Sequence, residues 1–271
     1  MSEPFLHNYL FSARMRAFST TRQGGVSKGR YASFNINPYC GDNAADVSAN
    51  RALLAGALGI STECIVLPHQ THGTASAVIT PQFFTLSPQA RQQQLEGIDA
   101  LLTDMHDVCI GISTADCIPV LLYDEEHHAI AAIHAGWRGT VARIVQHTAS
   151  RMQQLYHTDM AQTRAVIGPG ISLESFEVGD EVYAAFASAH FDMSRLARRY
   201  PAMHPAGATQ QKWHINLPLC NQLQLEQMGV PACNIFQSDI CTYAHADTFF
   251  SARRLGADSG RIYTGIMLMK G

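Results

Sequence analysis

The chain has 271 residues, of which 46% are apolar, and its formal net charge is −3. This length and apolar fraction are enough for a folded core in one large domain or two small ones. The slight negative charge and the lack of any run of basic residues argue against nucleic acid or an anionic membrane as a partner, and they favour a small molecule.

Cysteine usage indicates a reducing compartment. The seven cysteines are odd in number, scattered along the chain and without a Cys-x-x-Cys pair, whereas disulfide frameworks use even, regularly spaced sets. The N-terminal segment has too many polar interruptions for a secretory signal, and no apolar run approaches the length that spans a bilayer. We therefore expect a cytoplasmic protein.

The first quarter of the chain is predicted to form a loop, a helix and a strand. Residues 18–37 are rich in glycine and hydroxyl side chains, which is typical of a loop, and the order of a phosphate-binding P-loop is absent from them. Residues 44–58 carry apolar side chains at helical spacing and are followed by the natural stop Gly59. Residues 65–67 form a predicted strand that leads into HQTHG at residues 69–73.

The run from residue 111 to residue 139 is the most informative part of the sequence. Four short strands are predicted over 99–103, 108–113, 119–123 and 129–134, and their close spacing favours antiparallel or mixed pairing. Cys117 lies just before the third strand, and His134 ends the fourth. Small residues surround both positions, so the backbone can approach a ligand closely.

Cysteine and histidine at neighbouring strand ends are typical of a zinc site, and we expect them to meet around one metal ion. The HQTHG segment offers a third ligand, since either His69 or His72 can reach a shared ion. The spacing matches no compact zinc signature. A lone cysteine is more often a buried apolar residue, and a histidine at a strand end is more often a hydrogen-bonding group.

An amphipathic helix is predicted over residues 140–156, with apolar side chains from Val141 to Leu155 on one face. Its N-terminus would point at the His134 loop, where free N–H groups, assisted by Arg138, can hold an anion beside the metal.

The rest of the chain alternates strands and helices irregularly. Strands are predicted over 165–171, 234–237 and 262–269, helices over 181–189 and 218–228, and an irregular insertion over 194–212. Arg253, Arg254 and Arg261 lie close together in a glycine-containing loop, and the planar guanidinium group suits phosphate or carboxylate.

Several blocks of the sequence identify a family resemblance. In chain order they are GGVSKGRYASFNIN, GDNAADVSANR, HQTHG, STADCIPVLL, HAGWRG, IGPGI, FEVGDEV and CTYAHADTFFSARR. Through them the chain, from about residue 20 to its end, resembles the YfiH family, also called the laccase-domain or polyphenol-oxidase family. The resemblance implies zinc bound by His72, Cys117 and His134, and it gives His69 no part in the metal site.

The resemblance also implies substrate contacts and an activity. Arg51 belongs to an Asn-Arg pair of the family, and Arg22 and Asn35 lie in a segment expected near the site. We predict Arg51, Gln70, Arg138 and Arg254 as substrate-binding residues. Similar proteins are purine nucleoside phosphorylases acting on adenosine, inosine and methylthioadenosine, with adenosine deaminase activity at the same site, so a purine nucleoside and phosphate are the expected partners.

A zinc ion with three protein ligands has an open fourth position, and this is compatible with more than one chemistry. Water bound there has a pKa of about 7 in favourable sites, and phosphate can bind there instead. One alternative is implied by the resemblance, since some bacterial members of the family are linked to peptidoglycan editing: a zinc amidase that removes L-serine from a UDP-muramoyl precursor. A copper polyphenol oxidase is a second alternative, although one Cys/His2 site is a poor multicopper centre.

Two further alternatives need no catalytic metal. Cys117 as a nucleophile with His134 as its base would make a cysteine hydrolase. A closed four-ligand zinc site would instead make a non-catalytic zinc- and nucleotide-binding module.

For the fold, the irregular order of strands and helices predicts one α/β domain over residues 1–271, with mixed sheets between helical layers. It excludes the regular repeat of a barrel or a Rossmann fold. The resemblance implies a layered α/β/β/α sandwich.

Overall fold

The computed structural model describes residues 3–10, 12–203 and 210–270. Within these ranges two large β-sheets and one small one form the centre of the fold. The five-stranded sheet contains, in spatial order, β1 (Leu6–Tyr9), β2 (Met15–Thr20), β14 (Ile262–Leu268), β6 (Cys109–Thr114) and β3 (Ile65–Val66). The six-stranded sheet contains β13 (Ile235–Gln237), β9 (Arg164–Ile167), β7 (Ile118–Asp124), β8 (Ala129–Ala135), β5 (Ala100–Thr103) and β4 (Ser76–Val78). The three-stranded sheet contains β10 (Glu177–Val178), β12 (Gln211–Ile215) and β11 (Ala197–Pro201).

Both large sheets are mixed, as predicted. β7 pairs antiparallel with β8 and β9, whereas β3 runs parallel to β6 and β4 runs parallel to β5. All four strands predicted around the central run are present. One of them, β6, lies in the five-stranded sheet and pairs there with β14, so the sequence neighbours divide between two sheets.

The helices of the described residues are α1 (Ala44–Leu58), α2 (Pro81–Thr85), α3 (Pro88–Gln94), α4 (Trp137–Val141), α5 (Ile144–Tyr156), α6 (Asp180–Ser188), α7 (Met193–Leu196), α8 (Leu217–Gln227) and α9 (Ala252–Leu255). Among them, α1 packs on the outer face of the five-stranded sheet, and α5 and α8 pack on the outer face of the six-stranded sheet. None of the described helices combines the length and the apolar character that crossing a bilayer requires.

Alternating side chains of the strands build the layers. In β7, Leu121 and Tyr123 face the five-stranded sheet and pack in one cluster with Ile110 and Ile112 of β6. The intervening Val120 packs in a second cluster with side chains of α5 and α8. The other face of the five-stranded sheet packs against α1 through a third cluster. The order of layers is helix, sheet, sheet, helix, and the predicted α/β/β/α sandwich is confirmed.

The bounds of α1 follow from its capping residues. The Asn43 side chain accepts hydrogen bonds from the backbone N–H of Ala45 and Asp46, at 2.9 and 3.3 Å. Gly59 follows the helix in the left-handed region, with φ of 73°, where glycine has no steric penalty. The helix predicted over residues 44–58 is confirmed.

The helix predicted over residues 140–156 is confirmed from Ile144 to Tyr156, but its predicted start is wrong. Arg143 has a φ of 63° and separates α4 from α5. Its guanidinium donates to the carbonyl of Ala189 at 2.8 Å and lies over the ring of Phe191, so a contact distant in sequence stabilises the break. The N-terminus of the long helix therefore lies at Ile144, one short helix away from the His134 loop. Leu155, predicted to lie on the apolar face of this helix, is 47% exposed.

The irregular insertion predicted over residues 194–212 is also wrong for the part that the structure describes. α7, β11 and β12 occupy most of it, and β11 pairs antiparallel with β12 from Ala197 to Pro201. Residues 204–209 lie outside the described ranges. The strand predicted over 165–171 is shorter, since β9 ends at Ile167 before the Gly-Pro-Gly turn.

Substitution of two leucines, one inside the layer between α1 and the five-stranded sheet and one outside it, tests this packing. Leu54 is fully buried there, and we expect Leu54→Ala to lower the free energy of unfolding by about 2–5 kcal/mol because it leaves a cavity. Leu155→Ala on α5 is the matched control and should change it by less than about 1 kcal/mol. Urea denaturation followed by circular dichroism measures both, and equal losses would contradict the layering.

Candidate metal centre and its cavity

Three side chains from separate segments converge at one end of the central strands β7 and β8 of the six-stranded sheet. In the β7–β8 pair, Ile118 lies opposite Ala135, so Cys117 is placed beside the end of the strand that carries His134. His72 comes from the turn that follows β3. One potential ligand atom from each of the three side chains lies within 4.8 Å of the other two. The expected convergence therefore occurs, and the role of the three as metal ligands stays a prediction.

Gly136 makes room for this cluster. A Cβ at this position would lie 3.1 Å from Cys117 Sγ and 3.1 Å from His72 Cδ2, closer than ordinary van der Waals contact. Because glycine lacks this atom, the three side chains can approach one another.

Asp99 is a site residue that the sequence analysis missed. Its buried carboxylate accepts a hydrogen bond of 2.7 Å from His134 Nδ1. It also accepts from the backbone N–H of Thr71, His72 and Gly73 at 3.2, 3.0 and 2.8 Å. A carboxylate only accepts, so the proton lies on His134 Nδ1 and the lone pair on Nε2 is left to bind a cation. One sequence signal could have found it: an acid directly before the apolar run 100–102 needs a buried partner.

The cluster stabilises a thiolate. Burial alone raises the pKa of the Cys117 thiol, but the imidazoles of His134 and His72 outweigh burial and lower that pKa to about 6. Burial lowers the pKa of His134, whereas the Cys117 thiolate and the Asp99 carboxylate outweigh it and raise that pKa to about 9. At neutral pH the metal-free cluster therefore pairs a thiolate with an imidazolium. A thiolate is the form of cysteine that binds a metal or acts as a nucleophile.

The cluster opens onto a cavity of about 330 Å³. Its wall combines polar, aromatic and basic side chains from the loops around the sheet edge. Besides the cluster, the lining residues are Asn37, Tyr39, Cys40, His69, Gln70, Ser113, Thr114, Ala115, Ala252, Ala257 and Arg261. A concave site with a few convergent polar groups is the usual form of a small-molecule site.

Gln70 is the predicted substrate-binding residue that does line this cavity. Its side chain pairs with the backbone of Ser113, donating to the carbonyl at 2.8 Å and accepting from the N–H at 2.7 Å. These bonds fix the amide against the end of β6. Gln70 therefore braces the cavity wall, and its role in substrate binding stays a prediction.

The other predicted substrate-binding residues do not belong to the lining. Arg51 donates to the carbonyl of Ile65 at 2.8 Å, Arg138 lies over the ring of Trp137, and Arg254 donates to the hydroxyl of Tyr243 at 3.3 Å. Their roles in substrate binding stay predictions.

Arg22 and Asn35, named with them as candidate contacts, also hold the fold. Arg22 Nε donates to the carbonyl of Ala32, and Asn35 Nδ2 donates to the Asp42 carboxylate. Neither lines the cavity. The arginine that does so is Arg261, from the loop before β14.

The layered fold and the cluster together define an α/β protein with a candidate metal centre beside a small-molecule cavity. The chain matches, over residues 16–269, the family model described as "Multi-copper polyphenol oxidoreductase laccase", and it belongs to this family. A solved structure, the hypothetical protein YfiH of Bacillus licheniformis, superposes with a TM-score of 0.84 at 27% identity and covers 94% of this chain and 92% of that one. The resemblance to the YfiH family is confirmed.

Two curated relatives carry names of activities. A purine nucleoside phosphorylase of Bacteroides thetaiotaomicron is 51% identical over 253 residues, which are 93% of this chain and 91% of that protein. Adenosine deaminase RL5, from an unknown prokaryotic organism, is 41% identical over 252 residues, which are 93% of each chain. Both names describe enzymes that act on purine nucleosides.

The thiolate can be tested in metal-free protein. We expect iodoacetamide to alkylate Cys117 with a pH midpoint near 6, and the rate to fall as the pH drops through that value because the protonated thiol is unreactive. Mass spectrometry of the peptide that contains Cys117 gives the rate. His134→Asn should move the midpoint upward, since it removes the imidazolium that stabilises the thiolate. A midpoint of about 8.5 in the unsubstituted protein, the value of an ordinary thiol, would contradict the pairing.

Proposed function

We propose that this chain is a zinc-dependent purine nucleoside phosphorylase acting on adenosine, inosine and methylthioadenosine, with adenosine deaminase activity at the same site. The observation that carries the proposal is the opening of the His72, Cys117 and His134 cluster onto a cavity of about 330 Å³. The names of the two relatives supply the substrate class. The partners are then a purine nucleoside and phosphate.

Zinc fits the residues of the cluster. Two imidazoles and one thiolate are a usual zinc ligand set, and the bond from His134 to Asp99 is the outer contact that zinc-bound histidines generally make. A bound zinc ion with a free coordination position supplies a Lewis acid and lowers the pKa of bound water to about 7. The description of the family mentions several copper ions, but the described residues contain one group of three ligands, too few for a multicopper centre.

The residues of the cavity serve the reaction by binding and positioning. Phosphorolysis passes through a cationic sugar, so the site has to hold phosphate below the ring and stabilise the departing base. Arg261 is the arginine of the lining, and its guanidinium donates to the carbonyls of Gly260 and Ala257 at 3.1 and 2.8 Å, which fixes its position. Its positive charge suits phosphate. Arg51, Arg138 and Arg254 are kept as secondary candidates that need a side-chain movement to reach the cavity.

The cell compartment and the domain organisation belong to the same proposal. A thiolate ligand has to remain reduced, and every cysteine in the described part of the chain is free. We propose a cytoplasmic protein that folds as one domain over residues 1–271.

A metal-free cysteine hydrolase is the second candidate, because the pairing of the Cys117 thiolate with the His134 imidazolium also suits a nucleophile and its acid. The zinc amidase is less well supported, since about 330 Å³ lies at the lower end of the range of about 300–1,000 Å³ for ligand pockets and suits a nucleoside better than a UDP-muramoyl precursor. The binding module requires a fourth protein ligand.

One assay separates these functions. We expect zinc-loaded protein with adenosine and phosphate to release adenine and ribose 1-phosphate, and without phosphate to yield only inosine. Liquid chromatography resolves adenine from inosine. Treatment with a chelator should abolish both reactions, and added zinc should restore them. Full activity after chelation would favour the cysteine hydrolase, and tight binding without any product would favour the binding module.

Asp99→Asn tests the positioning of the ligands. We expect a loss of about 10–100-fold in zinc affinity, because the neutral amide no longer stabilises the His134 proton on Nδ1. Competition with a chromophoric chelator measures the affinity. Asp124→Asn is the matched control, since Asp124 also accepts from a histidine, His127, at 3.0 Å but lies outside the cavity lining. Equal zinc affinities for the two variants would contradict the role of Asp99 in positioning the zinc ligand His134.

A further inference from the structure

A second histidine–carboxylate pair borders the cavity. His69 Nδ1 donates to both carboxylate oxygens of Glu96, at 2.7 and 2.9 Å. The ring of Tyr39 stacks on the His69 ring, with centroids 4.3 Å apart and planes inclined by 26°. His69 and Tyr39 both line the cavity onto which the His72, Cys117 and His134 cluster opens, and His69 is not part of that cluster.

The pair of His69 and Glu96 is not needed to hold their two segments together. The backbone N–H of His69 donates to the carbonyl of Leu95 at 3.0 Å, and the N–H of Gly97 donates to the carbonyl of His69 at 2.9 Å. The two segments are thus already joined by their backbones. The side chains of His69 and Glu96 are 38% and 55% exposed, and ion pairs exposed to this degree contribute little to stability.

What the pair does fix is the state and direction of the imidazole. Because the carboxylate only accepts, the proton of neutral His69 lies on Nδ1, and Nε2 is the nitrogen left to gain or lose a proton. The Glu96 carboxylate holds the ring in one orientation, as the carboxylate of a catalytic triad holds its histidine. The stacked Tyr39 restricts rotation of the ring. A histidine held in this way has one ring nitrogen, Nε2, available for proton transfer.

We propose that His69, oriented by Glu96, is the general acid that protonates the departing purine during phosphorolysis. This inference rests on the proposed phosphorylase function. A phosphate oxygen forms a bond to C1′ of the ribose while the bond from C1′ to N9 breaks, and its electron pair goes to the purine. The proton on His69 Nε2 moves to N7 of the purine, and neutral His69 keeps its bond to Glu96. Solvent returns the proton, since the side chain is partly exposed.

A pair of substrates tests the proton transfer. Inosine needs a proton to release its base, whereas 7-methylinosine carries a methyl group and a positive charge on N7 and does not. We expect His69→Gln to lower kcat for inosine by about 10²–10⁴-fold, and to change kcat for 7-methylinosine by less than about threefold. Glu96→Gln should show the same selectivity with a smaller loss. If the unsubstituted enzyme rejects the methylated base, p-nitrophenyl riboside replaces it, because its phenolate also departs without a proton.

His127→Gln is the matched control. It breaks another histidine–carboxylate pair, between the partly exposed His127 and the buried Asp124, outside the cavity lining, and it should leave the turnover of both substrates unchanged. Zinc content and melting temperature are measured for each variant, to compare only folded, zinc-loaded proteins. Equal losses on inosine and on the activated substrate would overturn the acid role, as would unchanged turnover of inosine.

The same data separate failure of the inference from failure of the proposed function. Absence of phosphorolysis by the unsubstituted zinc enzyme, on inosine and on both activated substrates, would overturn the proposed function and this inference with it. Normal phosphorolysis that does not respond to His69→Gln would overturn this inference alone.

Discussion

The site depends on one buried carboxylate. Asp99 is fully buried, and its two oxygens accept four hydrogen bonds, one from the His134 ring and three from the backbone of residues 71–73. An isolated charge in such a place would be strongly unfavourable, so these donors have to stay in position for the carboxylate to remain ionised. The backbone carbonyl of Asp99 also accepts from the N–H of His134 at 2.8 Å. Asp99 thereby fixes the ring of His134 and the turn that carries His72 relative to each other.

A second carboxylate connects the cluster to the wall of the cavity. Asp116, directly before Cys117, accepts from the hydroxyl of Thr242 and from the backbone N–H of Arg253, both at 2.7 Å. The C-terminal segment held in this way continues to Arg261, which lines the cavity. Asp99 therefore positions His72 and His134. Asp116 connects Cys117 to the C-terminal segment that contributes to the cavity lining. The reactive groups and the binding surface are built as one structure.

The parts of this arrangement that follow from local pattern could be predicted from the sequence. The helical spacing and stop of α1 and the continuous apolar runs of the central strands are properties of neighbouring residues, and both agree with the structure. The break at Arg143 could not be predicted, because Ala189 and Phe191, 46 or more positions away, stabilise it. The same holds for β6, whose neighbour in space is the last strand of the chain.

The site shows the same division. Cys117 and His134 could be found because each stands at a predicted strand end, and their pairing across β7 and β8 is local in sequence. The choice of His72 depended on a family block. The arginines were assigned from residue type, from position in the sequence and, for Arg51, from a family block. A guanidinium that looks free in a sequence can be occupied in the fold by a carbonyl, as Arg51 is by Ile65. Asp99 was missed because its partners come from two distant segments.

On the proposed function, one site breaks two different bonds of the same substrate. Deamination replaces the amino group on C6 of the purine, whereas phosphorolysis cleaves the bond between the ribose and N9. In one orientation of the nucleoside, the cluster cannot lie next to both C6 of the purine and C1′ of the ribose. Each reaction therefore requires its own binding pose. The cluster is common to both poses, and the groups that hold the base differ. On the proposed function, the cavity wall, with the stacked Tyr39 and His69 and the fixed Arg261, therefore has to accommodate both poses.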